Sequence, residues 1–160
     1  MTYELKGKYS IIEDGVDIGE GTIVWNYVHV RSGSKIGKNC KIGNNVYIDK
    51  DVVIGDGVKI QNGVNIFKGV VLEDDVFVGP SVTFTNVRKP KASHVVPSSA
   101  YVSTLIKKGA SIGANCTIIC GAIIGEDCMI AAGCTVLSNQ DVPDGVSAHG
   151  YPIKQFPRFQ

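Results

Sequence analysis

From Ile12 onward an apolar residue returns at every sixth position, and the chain divides without insertion into "IEDGVD", "IGEGTI", "VWNYVH", "VRSGSK", "IGKNCK", "IGNNVY", "IDKDVV", "IGDGVK", "IQNGVN", "IFKGVV", "LEDDVF", "VGPSVT" and "FTNVRK". The first position is apolar in all thirteen hexads. The fifth is small or β-branched from Val16 through Val82 and fails only at Arg88. In the first twelve the fourth is Gly, Asn or Asp, the residues that most readily take a positive φ, with Tyr27 and Ser81 as exceptions. An amphipathic helix repeats every 3.6 residues and a simple strand every two. A period of six with a turn residue in each unit predicts short strands joined by sharp corners. Three hexads close one triangular coil, with first and fifth positions stacked inward coil upon coil. The expectation is an all-β parallel β-helix.

The rhythm breaks after Asn86 and resumes in a new frame at Ile106 with "IKKGAS", "IGANCT", "IICGAI", "IGEDCM", "IAAGCT", "VLSNQD" and "VPDGVS". The interval from Phe84 to Ile106 is not a whole number of hexads, so an excursion must project from the coil. The organisation expected is one domain. It has repeats over about 12–86 and 106–148, a projecting loop over about 87–105 and a short C-terminal tail, 149–160. The cysteines obey the same register. Cys40, Cys116, Cys128 and Cys134 fall on inward fifth positions, Cys120 does not, and no C-x-x-C spacing occurs. Core filling is therefore preferred over disulfides or zinc, which suits a reducing compartment.

Composition narrows the function classes. The 160 residues carry a net charge of +1 with 19% charged side chains, which argues against a nucleic-acid-binding surface. The opening "MTYELKGKYSII" is no basic leader with an apolar run, and no stretch of eighteen apolar residues occurs. A soluble, cytoplasmic protein without membrane or nucleic-acid partners is expected. The 19 glycines, about 12% against an average near 7%, fit many strands and turns.

The hexads resemble those of the hexapeptide-repeat acyltransferases over about 12–154, which implies a left-handed β-helix. Within that superfamily, "IVWNYVHV", "GVKIQNGVNIFKGVVLEDDVFVGPSVTFTNVRKPK" and "LIKKGASIGANCTIICGAIIG" are similar to bacterial N-acetyltransferases acting on nucleotide-linked 3-amino sugars in surface-glycan biosynthesis. The ending "IAAGCTVLSNQDVP…AHGYPIK" resembles the acetyl-CoA-dependent terminus. The resemblance implies an acetyltransferase using acetyl-CoA as cosubstrate, without a metal. It also implies a homotrimer with sites between subunits and a dTDP- or UDP-linked amino sugar as acceptor.

Candidate residues follow. Asn86 in "FTNVRKP" aligns with an asparagine that contacts the reacting amine in that family, although an Asn can also simply open a loop. His29 stacks with Tyr47, Asn65 and Thr83 at intervals of three hexads, a polar ladder expected along one corner and suited to a sugar or nucleotide edge. Arg31, Arg88 and Lys89 are candidates for an acidic group on the substrate. Ala114 and Ala132 are likewise three hexads apart and stacked. By the resemblance, small residues there admit the pantetheine arm of the cofactor to the backbone. Lys154 matches a basic residue that meets CoA phosphates, with Lys107 and Lys108 able to do likewise. The match is imperfect, because Ile153 replaces an alanine and "VLSNQDVP" lacks the family's lysine. Three rivals remain. One is transfer to a hydroxyl or another small amine with His29 or His94 as base. Another is a zinc enzyme of the same fold, disfavoured because His29, His94 and His149 are not separated by whole coils. The third is a non-catalytic scaffold.

Overall fold

The computed structural model describes residues 3–138, 140–150 and 153–157. The chain forms a parallel β-solenoid of about eight turns, a left-handed β-helix of hexapeptide repeats. Its strands fall into three sheets of nine, seven and six. The first face runs from Glu4–Leu5 through Ile23–Val24, Lys41–Ile42, Lys59–Ile60, Phe77–Val78, Ser111–Ile112 and Met129–Ile130 to Val146–His149. The second runs from Ile11–Ile12 to Thr135–Val136 and the third from Asp17–Ile18 to Ile123–Ile124. Coiling therefore begins one strand before the first hexad. No helix among the described residues is long and apolar enough to cross a membrane.

The inward positions form one continuous core. Every first-position residue from Ile18 to Phe84 is buried, as is every fifth-position residue from Thr22 to Val82. Burying Thr22 and Ser34 leaves no hydroxyl stranded, since Thr22 Oγ1 donates to the Gly37 carbonyl at 2.8 Å and Ser34 Oγ to the Asp49 carbonyl at 2.7 Å. All five cysteines are free and buried. Cys40, Cys116, Cys128 and Cys134 join the core column, whereas Cys120 is buried outside it.

From Gly15 to Ser81, and again at Gly109, Asn115, Gly121, Asp127, Gly133 and Gly145, the fourth position of the hexad turns the corner with a left-handed φ. Tyr27 (φ 57°) and Ser81 (φ 59°) adopt this conformation just as the glycines, asparagines and aspartates do. The repeat imposes the turn on whatever residue stands there. Tyr27 lies stacked on Tyr9, itself left-handed, with ring centroids 5.5 Å apart.

The excursion leaves after Phe84, at the corner between the second and third faces, and the chain re-enters as the strand Thr104–Ile106. That strand pairs with Val70–Leu72, so Val70 stacks on Thr104 where three hexads alone would bring Arg88. Thr104 and Ile106 resume the inward fifth and first positions. The Val102 N–H donates to the Asn86 carbonyl at 3.0 Å and closes the base of the loop. Within it, Lys91 and His94 bridge, and Ser98–Ala100 form one 3₁₀ turn. The C-terminal segment includes an added strand, Lys154–Pro157, antiparallel to Val146–His149. Of the expected tail, 151, 152 and 158–160 lie outside the described residues.

Candidate functional site

A coil corner exposes backbone N–H groups that no neighbouring strand can accept, and each needs a partner. At the corner between the first and second faces, the third hexad position supplies one from the coil above. Asn26 Oδ1 accepts from the Lys8 N–H at 2.8 Å, Asn44 Oδ1 from the Asn26 N–H at 3.0 Å, and Asn62 Oδ1 from the Asn44 N–H at 2.8 Å. The corner between the third and first faces uses aspartates. Lys38 and Asp56 donate to Asp56 and Asp74, and Glu126 donates to Asp144.

The asparagine ladder then stops. Above Asn62 the stacked residues are Pro80, Ala114 and Ala132, none of which has a side-chain acceptor. The N–H groups of Ala114 and Ala132 have no hydrogen-bond partner among the described residues. Close stacking brings the coils together here, since a Cβ on Gly79 would lie 2.7 Å from the Ala114 nitrogen, and one on Gly113 2.5 Å from that of Ala132. Beside them a groove of about 300 Å³ runs over the first face, lined by Phe77, Ser111, Gly113, Met129 and Ala132. Phe77 and Met129 are exposed. An extended chain carrying amide carbonyls and methylene groups fits this arrangement, with its carbonyls on the two free N–H groups and its apolar length along the groove.

The three lysines do not share one position. Lys154 lies on the added strand of that same first face, opposite His149, whose ring stacks on Phe156 at 4.4 Å. Lys107 and Lys108 stand at the corner between the third and first faces. There Lys107 Nζ is held by Asp144 at 3.1 Å and the Lys108 N–H donates to Glu73 at 2.8 Å.

His29, Tyr47, Asn65 and Thr83 are in register on adjacent strands of the second face. They stack as the spacing requires, but on a flat face, because the sixth hexad position falls within a strand and not on a corner. Arg31 lies two positions after His29 and belongs to a second ladder, Glu13, Arg31, Asp49, Phe67 and Thr85, again at steps of three hexads. The two ladders interlock. Glu13 Oε1 accepts from His29 Nε2 at 3.0 Å and Arg31 Nε at 3.2 Å, while its Oε2 accepts from the Ser32 N–H at 2.9 Å. Asp49 Oδ1 accepts from Arg31 Nη1 at 3.4 Å and from the Tyr47 hydroxyl at 3.1 Å. The Ser32 N–H, reinforced by His29 and Arg31, lowers the Glu13 carboxyl to about 2. Burial raises the Tyr47 phenol above its usual value. Arg31 is thus neutralised by two carboxylates.

Asn86 closes the second face where the excursion begins. It is half-buried, and its carboxamide makes no hydrogen bond to another described residue. His94 is exposed on the excursion, where it lines a cavity with Arg88 and Lys89. No group of three or more His, Cys, Asp or Glu that could hold a metal ion occurs among the described residues. Sequence reasoning missed Glu13 and Asp49, which the same three-hexad arithmetic would have found, and it missed the apolar groove.

A family model described as bacterial transferase hexapeptide (six repeats) matches residues 33–68 and 103–138, and one described as the hexapeptide repeat of succinyl-transferase matches 9–50. No curated protein sequence matches the chain. Among solved structures it is similar to a Bacillus cereus protein assigned to the acetyltransferases, with 28% identity, TM-score 0.55, and coverage of 99% of this chain and 83% of that one. A GDP-perosamine N-acetyltransferase of Caulobacter crescentus, solved with CoA and GDP-perosamine, shares the fold at 22% identity and TM-score 0.60. The match covers 97% of this chain and 57% of that one. A hexapeptide-repeat acetyltransferase of Vibrio cholerae, solved with acetyl coenzyme A, matches at 22% identity and TM-score 0.58, covering 80% and 72%.

Proposed function

We propose that this chain, which belongs to the bacterial hexapeptide-repeat transferases, is an acetyl-CoA-dependent N-acetyltransferase whose acceptor is the amine of a nucleotide-linked amino sugar. The interrupted asparagine ladder carries the reading. Two backbone N–H groups in register, beside an apolar groove, match an arm built of amides and methylenes. The related acetyltransferases crystallised with CoA or acetyl-CoA support the same cosubstrate. The 3-amino position, a dTDP or UDP carrier, a role in surface-glycan assembly, a cytoplasmic setting and a homotrimer complete the proposal.

In the reaction the amine attacks the thioester carbonyl carbon, the C–S bond breaks, and the proton lost by nitrogen passes to the departing sulfur. A free amine is nucleophilic enough to need only orientation, a contribution assigned to the uncommitted Asn86 carboxamide. The developing oxyanion needs N–H donors. A hydroxyl acceptor is the second reading, and the Glu13–His29 pair favours it. With Nε2 donating to the carboxylate, Nδ1 is left as the basic nitrogen. Loss of turnover in His29→Asn with Asn86→Ala active would select that reading.

The deciding test is Ala132→Asn. Its carboxamide is placed to accept the Ala114 N–H as Asn44 accepts that of Asn26, so the fold is kept while the cofactor's hydrogen bond is taken. Calorimetry should show acetyl-CoA affinity falling about tenfold, as for loss of one hydrogen bond, with the melting temperature unchanged or raised. Undiminished affinity sinks the assignment. Asn86→Ala should abolish most turnover while acetyl-CoA binding survives.

A further inference from the structure

The sixth hexad position points outward in mid-strand. On the third face it carries Lys35, Val53, Val71, Leu105, Ile123 and Asp141 in successive coils, in register throughout. Neither of the other faces has four apolar residues in a row there. Their sixth positions mix Ile, Lys, Phe, Ser and Met, or Ile, His, Tyr, Asn and Thr. Val53 and Ile123 are exposed at 42% and 39%. Beside the stripe, Gly37, Gly55 and Gly125 keep the second position flat, and Glu73 and Lys107 occupy it in the two middle rows. A depression of about 300 Å³ opens next to Val53, Val71 and Glu126. A contiguous outward apolar stripe rimmed by charge marks a contact surface.

We propose that the third face binds the third face of a second copy, about a twofold axis running along the strand direction between the rows of Val71 and Leu105. That operation turns one sheet over onto the other and reverses the order of the coils, so each row meets the row equally far beyond the axis. Val71 then packs on the second copy's Leu105, and Val53 on its Ile123, which enters the depression. Lys35 meets the second copy's Asp141 and Glu73 its Lys107, each pair formed twice. Charge decides both the partner and its direction. Reversal sets every charge at these positions against its opposite, whereas pairing two copies in the same direction would set Lys35 on Lys35 and Asp141 on Asp141. The Lys35 ammonium has no hydrogen bond or ion pair with a described residue and is available for the contact. Six coils about 4.8 Å apart, on a face three to four residues wide, bury on the order of 300–400 Å² per copy, less than half of a standard interface. The contact is therefore reversible and forms at high concentration. The third face lies opposite the corner of Ala114 and Ala132, so the contact leaves that corner open and adds to the proposed trimer.

Sedimentation velocity of the full chain, from low micromolar to millimolar concentration, tests the contact. The variants are Lys35→Asp, Asp141→Asn, the double variant Lys35→Asp with Asp141→Lys and, as a charge control on the first face, Lys59→Asp. Asp141→Asn removes the charge but keeps the acceptor for the Ile123 N–H, held at 3.0 Å. The wild type should sediment faster as concentration rises, and Lys59→Asp should match it. Lys35→Asp sets carboxylate against carboxylate in both outer pairs and should weaken association at least about tenfold, with Asp141→Asn losing about threefold. The double variant restores opposite charges and should recover the wild-type affinity to within about threefold. No variant should change the smallest species, which separates this contact from the trimer. Sedimentation of the wild type that does not depend on concentration overturns the proposal, as does association of Lys35→Asp or Asp141→Asn equal to that of the wild type. A double variant that melts like the wild type yet associates as weakly as Lys35→Asp overturns the reversed pairing.

Discussion

Glu13 shows how one side chain organises a face. Its two oxygens serve three donors, the Ser32 N–H and the side chains of His29 and Arg31, and these hold the carboxyl at about 2 instead of 4.5. A carboxyl whose pKa is depressed by folding adds stability that is fully present above the unfolded value and disappears as pH falls through the folded one. The contribution of Glu13 is therefore present above 4.5 and lost between 4.5 and about 2. Glu13→Gln should melt below the wild type at neutral pH, and the gap should close on acidification to about pH 2. Far-UV circular dichroism melts across that range check it, and a gap that persists at the acid end refutes the assignment. His29 and Tyr47 were legible from the sequence because stacking follows from spacing alone. Their partners lie on the neighbouring ladder of second positions, Glu13, Arg31, Asp49, Phe67 and Thr85, which the same spacing gives but whose residues do not repeat, so that composition alone does not mark it.

Corners carry most of what is specific to this chain. The strands are two or three residues long over most of the coil and were legible throughout, because a period of six admits one alternation of inward and outward side chains. The left-handed fourth position was legible too, and Tyr27 and Ser81 adopt it against their own preference. Ser81 gains nothing visible in return, since its side chain makes no hydrogen bond to a described residue. Asparagine is several-fold enriched in this conformation, so Ser81→Asn should stabilise the fold by about 0.5–1 kcal/mol. Urea unfolding measures it, and a lower midpoint contradicts the strain argument. Less legible was the capping ladder. Ala114 and Ala132 stood out as a stacked pair of small residues, but their meaning depends on Asn26, Asn44 and Asn62 having satisfied the same N–H groups earlier along that corner.

On the scale of the molecule the chain separates a scaffold from an appendage. Val70 pairs with Thr104 where an uninterrupted coil would bring Arg88, and a surplus as long as the segment 87–102 returns the chain to the register it left. Removing residues 87–102 joins Asn86 to Ser103 and produces the hexad "FTNSTL" ahead of "IKKGAS", with Phe84 and Thr104 still at inward positions. The bond between the Val102 N–H and the Asn86 carbonyl shows that the two ends of the loop already lie together, so the junction needs no new backbone path. The shortened chain should keep its strand signature and its affinity for acetyl-CoA, because the Ala114–Ala132 corner and the Phe77–Met129 groove are built wholly from residues outside the loop. It should lose most turnover of a nucleotide-linked amino sugar, since Asn86, assigned to the amine, loses the Val102 N–H that holds its carbonyl at the base of the loop. Circular dichroism, calorimetry with acetyl-CoA and a mass-spectrometric acetylation assay test the three parts separately. Retained turnover would show that the acceptor lies wholly on the coil, while lost acetyl-CoA binding would show that the excursion reaches the cofactor as well.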